Sequence, residues 1–113
     1  MPDCIFCRIA AGEIPADKVY EDDRCLVFRD LDPQAPVHLL MIPKEHLAGA
    51  DTVTPGDAAL VGHLFSVIPG VMEQLGVTQG FRVVTNVGAH GGQSVRHLHF
   101  HLLAGRELAW PPG

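Results

Sequence analysis

Apolar residues fall into three kinds of run along this chain, and each kind predicts a different element. Short apolar or alternating runs at KVYEDD, CLVFRD (residues 25–30), HLLMIP (residues 38–43) and FRVVTNV (residues 81–87) have strand length and end in turn-forming residues. The first two meet at the acidic turn Asp22-Asp23 and predict a hairpin. A second kind of run recurs at three and four: Leu60, Val61, Leu64, Phe65, Ile68, Val71, Met72 and Leu75 form one stripe of a long helix. Its start is marked by Thr54 as N-cap, Pro55 at the first helical position and Asp57 as the reciprocal capping residue, and Gly76 lies past its end. Pro69-Gly70 falls inside the stripe; proline removes a ladder bond and crowds the Phe65 carbonyl, so a kink or break is expected there.

The third pattern is RHLHFHLLAG, which alternates strictly. In a strand, residues i and i+2 share a face. The run therefore predicts a row of imidazoles, His97, His99 and His101, backed by an apolar row of Leu98, Phe100 and Leu102. The opening DCIFCRIAAGEIPA reads as a short helical turn stopped near Gly12, DPQAP as a loop, GAHGGQS as a glycine-rich turn, and ELAWPPG as an extended tail. Several strands and one long helix covering an apolar sheet face make an α+β domain, and the 113 residues are expected to form a single domain.

Composition narrows the possible functions. With 8 Lys+Arg against 13 Asp+Glu and a net charge of −5, the chain has no electrostatic footprint for wrapping nucleic acid. A hydrophobic content of 47% rules out a disordered chain and leaves apolar surface for an oligomer interface. There is no charged leader followed by an apolar stretch and no membrane-length apolar run, so a cytoplasmic location is expected. Three cysteines, two of them three residues apart, fit metal binding better than disulfide pairing.

The glycine turn and the histidine row lie side by side in sequence, which suggests chemistry on an anion. Gly91 and Gly92 let backbone N–H groups turn toward a ligand, and Ser94 adds a hydroxyl donor. An imidazole attacks phosphorus only with one nitrogen unprotonated and aimed at it, which requires an acceptor holding the other N–H. His99, the middle histidine, is the natural nucleophile, and His38 at the mouth of its strand can join the network around it.

The segments EDDRCLVFRDLDPQAPVHLLMIPKEH, TNVGAHGGQSV and HLHFHLLAGRELAWPPG together resemble the histidine triad (HIT) superfamily, in particular its Hint branch of purine nucleoside phosphoramidases. The likeness runs from about Cys4 to Gly113. It implies a five-stranded antiparallel sheet with one long helix and a short N-terminal helix, and a homodimer that joins two sheets into one of ten strands. It also implies hydrolysis of nucleoside 5′-monophosphate conjugates through a nucleotidyl-histidine, with His99 as nucleophile. On the same likeness His101, Ser94 and the backbone at Gly92 and Gln93 hold the phosphate, with Asn86 nearby and His38 in the imidazole network. Asp30 would take the ribose hydroxyls, and Phe6, Ile9, Ile14, Phe28 and Leu31 would wall the purine. Trp110 would reach toward the partner's site, although Ala109 departs from the histidine that Hint members carry there.

Cys4 and Cys7 have the spacing of two zinc ligands and need two more to close a tetrahedral site. Bacterial HIT relatives with this cysteine pair carry histidines matching His46 and His97, which implies a structural Zn²⁺ on Cys4, Cys7, His46 and His97 and no catalytic metal. Cys25 is expected in the core, and His63 and His90 at the surface or rim. Two other readings stand beside the hydrolase: a non-catalytic nucleotide-binding or scaffold protein, and a metalloenzyme using the whole histidine row. The second is disfavoured, because ligands at i, i+2 and i+4 of a strand span roughly 13 Å while metal–ligand bonds are near 2 Å.

Overall fold

The alternating and continuous apolar runs become one sheet. The computed structural model describes residues 3–113. Strands β1 (Lys18–Glu21), β2 (Cys25–Arg29), β3 (Val37–Pro43), β4 (Phe81–Val84) and β5 (Phe100–Ala104) pair antiparallel in the order β1-β2-β3-β5-β4. The β1–β2 hairpin forms at the acidic turn as expected, and β3, flanked on both sides, is buried along almost its whole length.

Each face of the sheet has its own helix. The short helix α1 (Ile5–Ala10) covers one face: Phe6 and Ile9 pack with Leu26, Phe28, Leu40 and Ile42, and Ile14 packs at the margin. A six-residue helix does not hold itself together in water, so this packing keeps it folded. The long helix α2 (Ala58–Gln74) covers the other face, where Leu64, Ile68, Val71 and Met72 meet Val27, Leu39, Met41, Leu98, Phe100 and Leu102. Each such side chain contributes roughly 1.5–3 kcal/mol on burial. Cys25 belongs to this core and is fully buried.

Three expectations are corrected. The Thr54–Asp57 capping box is present, but it closes a 3-10 turn (Pro55–Asp57) that leads into α2. Helix α2 runs through Pro69 without a break; Pro69 and Gly70 are exposed, so water can serve the carbonyl that loses its partner. FRVVTNV forms a strand only to Val84, and the histidine run joins the ladder only at Phe100.

His97 and His99 are nevertheless oriented as alternation predicts. Phe6 lies edge-on to both rings, so they face α1, while Leu98 and Phe100 belong to the α2 core. The Leu98 amide is diverted from the ladder to the Leu47 carbonyl at 2.6 Å, which ties this stretch to the loop after β3. Because the sheet has a helix on either side, most of the histidine row is buried too: His97 is 0% and His99 4% exposed, and His101 is half-buried. Among the described residues, no helix is long and apolar enough to cross a membrane.

Candidate active site and metal centre

The protonation of four imidazoles, three of them buried and His101 half-buried, follows from a chain of partners that starts in each case at a backbone group able to play only one role. The His97 Nε2 lies 2.8 Å from the Pro43 carbonyl, and a carbonyl only accepts, so Nε2 carries the proton and Nδ1 presents a lone pair. His99 is the mirror case: its Nδ1 lies 2.7 Å from the His97 carbonyl, so Nδ1 donates and Nε2 is the bare nitrogen. In His38 the Gln34 backbone N–H donates to Nδ1 at 2.9 Å, which leaves its proton on Nε2. That proton goes to His101 Nδ1 at 2.9 Å, so His101 carries its own proton on Nε2.

His99 and His101 thus form an opposed pair with ring centroids 5.1 Å apart, one nitrogen bare and the other protonated. Burial, then the neighbouring His99 and His38 rings, push the His101 pKa down, with Asp30 opposing, so the ring stays neutral near pH 7. Asp30 lies at the edge of this network, its Oδ2 3.4 Å from His38 Nε2 and its Oδ1 accepting the Asp32 amide at 2.8 Å. Phe6 crosses His99 at 5.0 Å and Phe28 at 6.0 Å, joining the apolar cluster of Phe6, Ile9, Phe28 and Ile14 to the reactive ring. Leu31 is not part of that cluster: it stands 98% exposed on the loop after β2. Trp110 is also exposed, on a tail whose Leu108 and Ala109 carbonyls accept from Arg82 at 3.2 and 2.8 Å.

The glycine turn is stitched differently from its sequence reading. The Gly92 amide donates to the Ala89 carbonyl and the Gln93 amide to the Gly88 carbonyl, so both close the turn on itself instead of facing a ligand. The Gln93 side chain is spent as well: Nε2 donates to the Ala48 and Val95 carbonyls, while Oε1 accepts from Gly88 and Arg96. Gly91 is required here, because a Cβ would run into the Val87 backbone, and Gly88 and Gly92 have φ of +69° and +80°. Ser94 is exposed at the end of the turn, outside these bonds. Asn86 follows Thr85, whose hydroxyl donates to the His99 carbonyl at 2.9 Å.

The four sequence-predicted metal ligands come together. Cys4 caps α1 and Cys7 lies one turn on, His46 comes from the loop after β3, and His97 from the stretch before β5. His97 Nδ1 is 3.3 Å from Cys4 Sγ, 3.5 Å from Cys7 Sγ and 3.1 Å from His46 Nδ1, and Cys7 Sγ is 3.2 Å from His46 Nδ1. Ligands about 2.0–2.3 Å from a tetrahedral ion stand roughly 3.3–3.8 Å apart, so the set fits such an ion. One sp² lone pair cannot serve three neighbours, whereas a cation at their centre serves all four. The cluster can hold a metal ion.

Sequence reasoning missed one constellation. His63, expected at the surface or rim, is half-buried on α2 and donates from Nε2 to Asp22 Oδ2 at 2.7 Å. Tyr20 donates to the same oxygen at 2.8 Å, and the Arg24 and Cys25 amides donate to Oδ1, each at 2.8 Å. Burial raises the Asp22 pKa, but these donors outweigh it and hold the carboxyl well below its ordinary value. Burial, then the Asp22 charge, push the Cys25 thiol up to about 12, so it stays protonated. A histidine beside an apolar stripe was the available signal; its partner lies 41 residues away in sequence. His90 is exposed in the glycine turn, as expected.

Comparisons with known proteins agree with this architecture. The HIT domain family model matches residues 11–108. An uncharacterized HIT-like protein of Synechococcus elongatus is 56% identical over 98% of this chain and 97% of its own length. The crystal structure of a HIT family hydrolase from Legionella pneumophila superposes with a TM-score of 0.96 at 47% identity, covering 98% of this chain and all of that one. A histidine triad protein from Clostridium difficile follows at 0.93 and 49%, covering 96% of each chain.

Proposed function

The chain belongs to the HIT domain family, and from that premise we propose that it hydrolyses nucleoside 5′-monophosphate conjugates, purine nucleoside phosphoramidates foremost, through a nucleotidylated His99. The observation that carries this reading is the 2.7 Å bond from His99 Nδ1 to the His97 carbonyl, which leaves Nε2 as a bare, fixed nucleophile. Relatives described as HIT family hydrolases support the hydrolytic class.

In the first step Nε2 of His99 bonds to the α-phosphorus, the P–N bond to the amine breaks, and the departing amine takes a proton from solvent. In the second, water attacks phosphorus, the bond to His99 breaks, the nucleoside monophosphate leaves, and one proton returns to solvent. Splitting the hydrolysis in this way replaces one difficult displacement with two easier ones. The protonated Nε2 of His101 and the hydroxyl of Ser94 hold the phosphoryl oxygens as charge gathers on them; losing such a donor costs on the order of 10²–10³ in rate. This assigns to Ser94 the anion-holding role that the engaged amides of Gly92 and Gln93 give up. Asn86 lies close to the same phosphate. Asp30 takes the ribose hydroxyls, and Phe6, Ile9, Ile14 and Phe28 contact the purine face, with Leu31 closing over it from its exposed loop.

A structural Zn²⁺ on Cys4, Cys7, His46 and His97 is part of the proposal. When bound it supplies a crosslink between α1, the loop after β3 and the stretch before β5. A closed Cys₂His₂ set leaves no open position for substrate, so the chemistry stays with the imidazoles. The family likeness also supports a homodimer, with Trp110 of each chain presented toward the partner's site. The direct test is adenosine phosphoramidate turnover by wild type and His99→Ala. The reading expects activity in the first and loss of at least about 10³-fold in the second. Adenosine monophosphate binding with no turnover by wild type would favour a non-catalytic nucleotide-binding protein instead.

A further inference from the structure

The relay through His38 to His101 begins outside the residues considered so far. Arg106, just past β5, donates from Nη2 at 3.0 Å and from Nε at 3.3 Å to the backbone carbonyl of Gln34. Gln34 sits in the loop between β2 and β3, and its own N–H is the group that donates to His38 Nδ1. The first residue of that loop is held to β3, the Asp30 amide donating to the His38 carbonyl at 3.0 Å, and beyond it the loop is stitched within itself: the Asp32 amide to Asp30 Oδ1, and the Gln34 Nε2 to the Asp32 carbonyl. Two prolines flank Gln34 at positions 33 and 36 and supply no amide donors of their own. Arg106 is therefore the side chain that fastens this loop to the end of β5, the strand that carries His101.

We propose that Arg106 is a positioning residue: by holding the Gln34 carbonyl it keeps the Gln34 N–H on His38 Nδ1, and so decides which nitrogen of His101 carries the proton. The reasoning is one of proton count. A neutral imidazole has one N–H, and as long as Gln34 donates to His38 Nδ1 that N–H must sit on Nε2. It then points at His101 Nδ1, which obliges His101 to place its own proton on Nε2, toward the site. If the loop drifts, His38 can protonate Nδ1 instead, its Nε2 becomes an acceptor, and His101 turns its proton inward. The site then loses a donor with no catalytic side chain altered. Arg106 donates to neither His38 nor His101; it acts through the backbone of one residue, Gln34, holding its carbonyl while its N–H meets His38.

The inference rests on the proposed hydrolytic reading for its kinetic consequence, but its structural part is tested without substrate. Long-range ¹⁵N–¹H spectra report which ring nitrogen of each histidine is protonated. In wild type at pH 7 both His38 and His101 are expected as Nε2–H forms. In Arg106→Ala, with the fold verified by its amide spectrum, both rings should shift toward the Nδ1–H form, and Arg106→Lys should lie between the two. With adenosine phosphoramidate, kcat of Arg106→Ala should fall about tenfold, the usual scale for a supporting partner, with little change in KM. An arginine equally exposed but distant, Arg24→Ala, should leave ring states and kcat unchanged. Wild-type ring patterns retained in Arg106→Ala would overturn the proposal whatever the kinetics, as would an Nδ1–H His38 in wild type. Absence of turnover in wild type would instead overturn the hydrolytic reading, and the ring spectra would still decide the role of Arg106.

Discussion

Two groups of imidazoles lie on the same side of the sheet and are built on opposite plans. Around His97, four ligand atoms from Cys4, Cys7, His46 and His97 crowd one point, and a single lone pair faces three neighbours. Around His101 the atoms form a line, Gln34 N–H to His38 Nδ1 and His38 Nε2–H to His101 Nδ1, in which each proton has an acceptor. Convergence calls for a cation, whereas a line of matched donors and acceptors is complete and passes its polarity along. Distance alone does not separate the two, since Asp30, His38 and His101 also lie close enough together to hold an ion. The direction of the lone pairs does.

The largest expected effect breaks the convergent group. Wild type should carry one Zn²⁺ per chain by elemental analysis, and Cys7→Ser should lose it. Loss should destabilise the fold by about 2 kcal/mol or more, roughly 8 °C or more in Tm at this size, because α1 is too short to stand alone. Removing metal with a chelator should expose Cys4 and Cys7 to a thiol reagent in the still-folded protein, while Cys25, buried and with its pKa pushed up to about 12, reacts only after unfolding. Metal-free wild type with unchanged Tm would remove the basis for separating the two plans.

A smaller effect comes from a third group, in which Tyr20, His63 and the Arg24 and Cys25 amides converge as donors on the Asp22 carboxylate, so that a fixed anion stands where the first group calls for a cation. The folded-state pKa of Asp22 lies below its unfolded value near 3.9. Its stabilising contribution is therefore fully present above that unfolded value and lost as pH falls through the acid range. Denaturant titrations at pH 7 and pH 3 should show wild type more stable than Asp22→Asn at pH 7, with the gap narrowing at pH 3. A gap independent of pH would mean that packing, not ionisation, accounts for the contribution of Asp22.

How much of this is legible in the sequence follows from the range of each interaction. The alternation of RHLHFHLL reveals which rings share a face because side-chain direction is a local property of extended backbone. It does not reveal that residues 97–99 leave the ladder, since that depends on the Leu47 carbonyl fifty-one residues upstream capturing the Leu98 amide. The metal ligands are readable from cysteine spacing and family likeness. The donors Gly92 and Gln93 are misread because a glycine pair permits both an open amide cradle and a turn closed on itself, and only the partners decide. Pro69 interrupts the stripe on paper but falls on the wet side of α2, where its missing bond costs least. The Asp22–His63 link and the Arg106–Gln34 link leave no periodic signature at all.

The central claim is that His99, its Nδ1 held by the His97 carbonyl, bonds covalently to the nucleotide phosphorus. Intact-protein and peptide mass spectrometry on enzyme acid-free quenched during turnover of adenosine phosphoramidate tests it most directly. The account predicts a transient adenylyl adduct on the peptide containing His99, absent from His99→Ala. An active enzyme with no adduct at any quench time, or with the adduct on another residue, would contradict it.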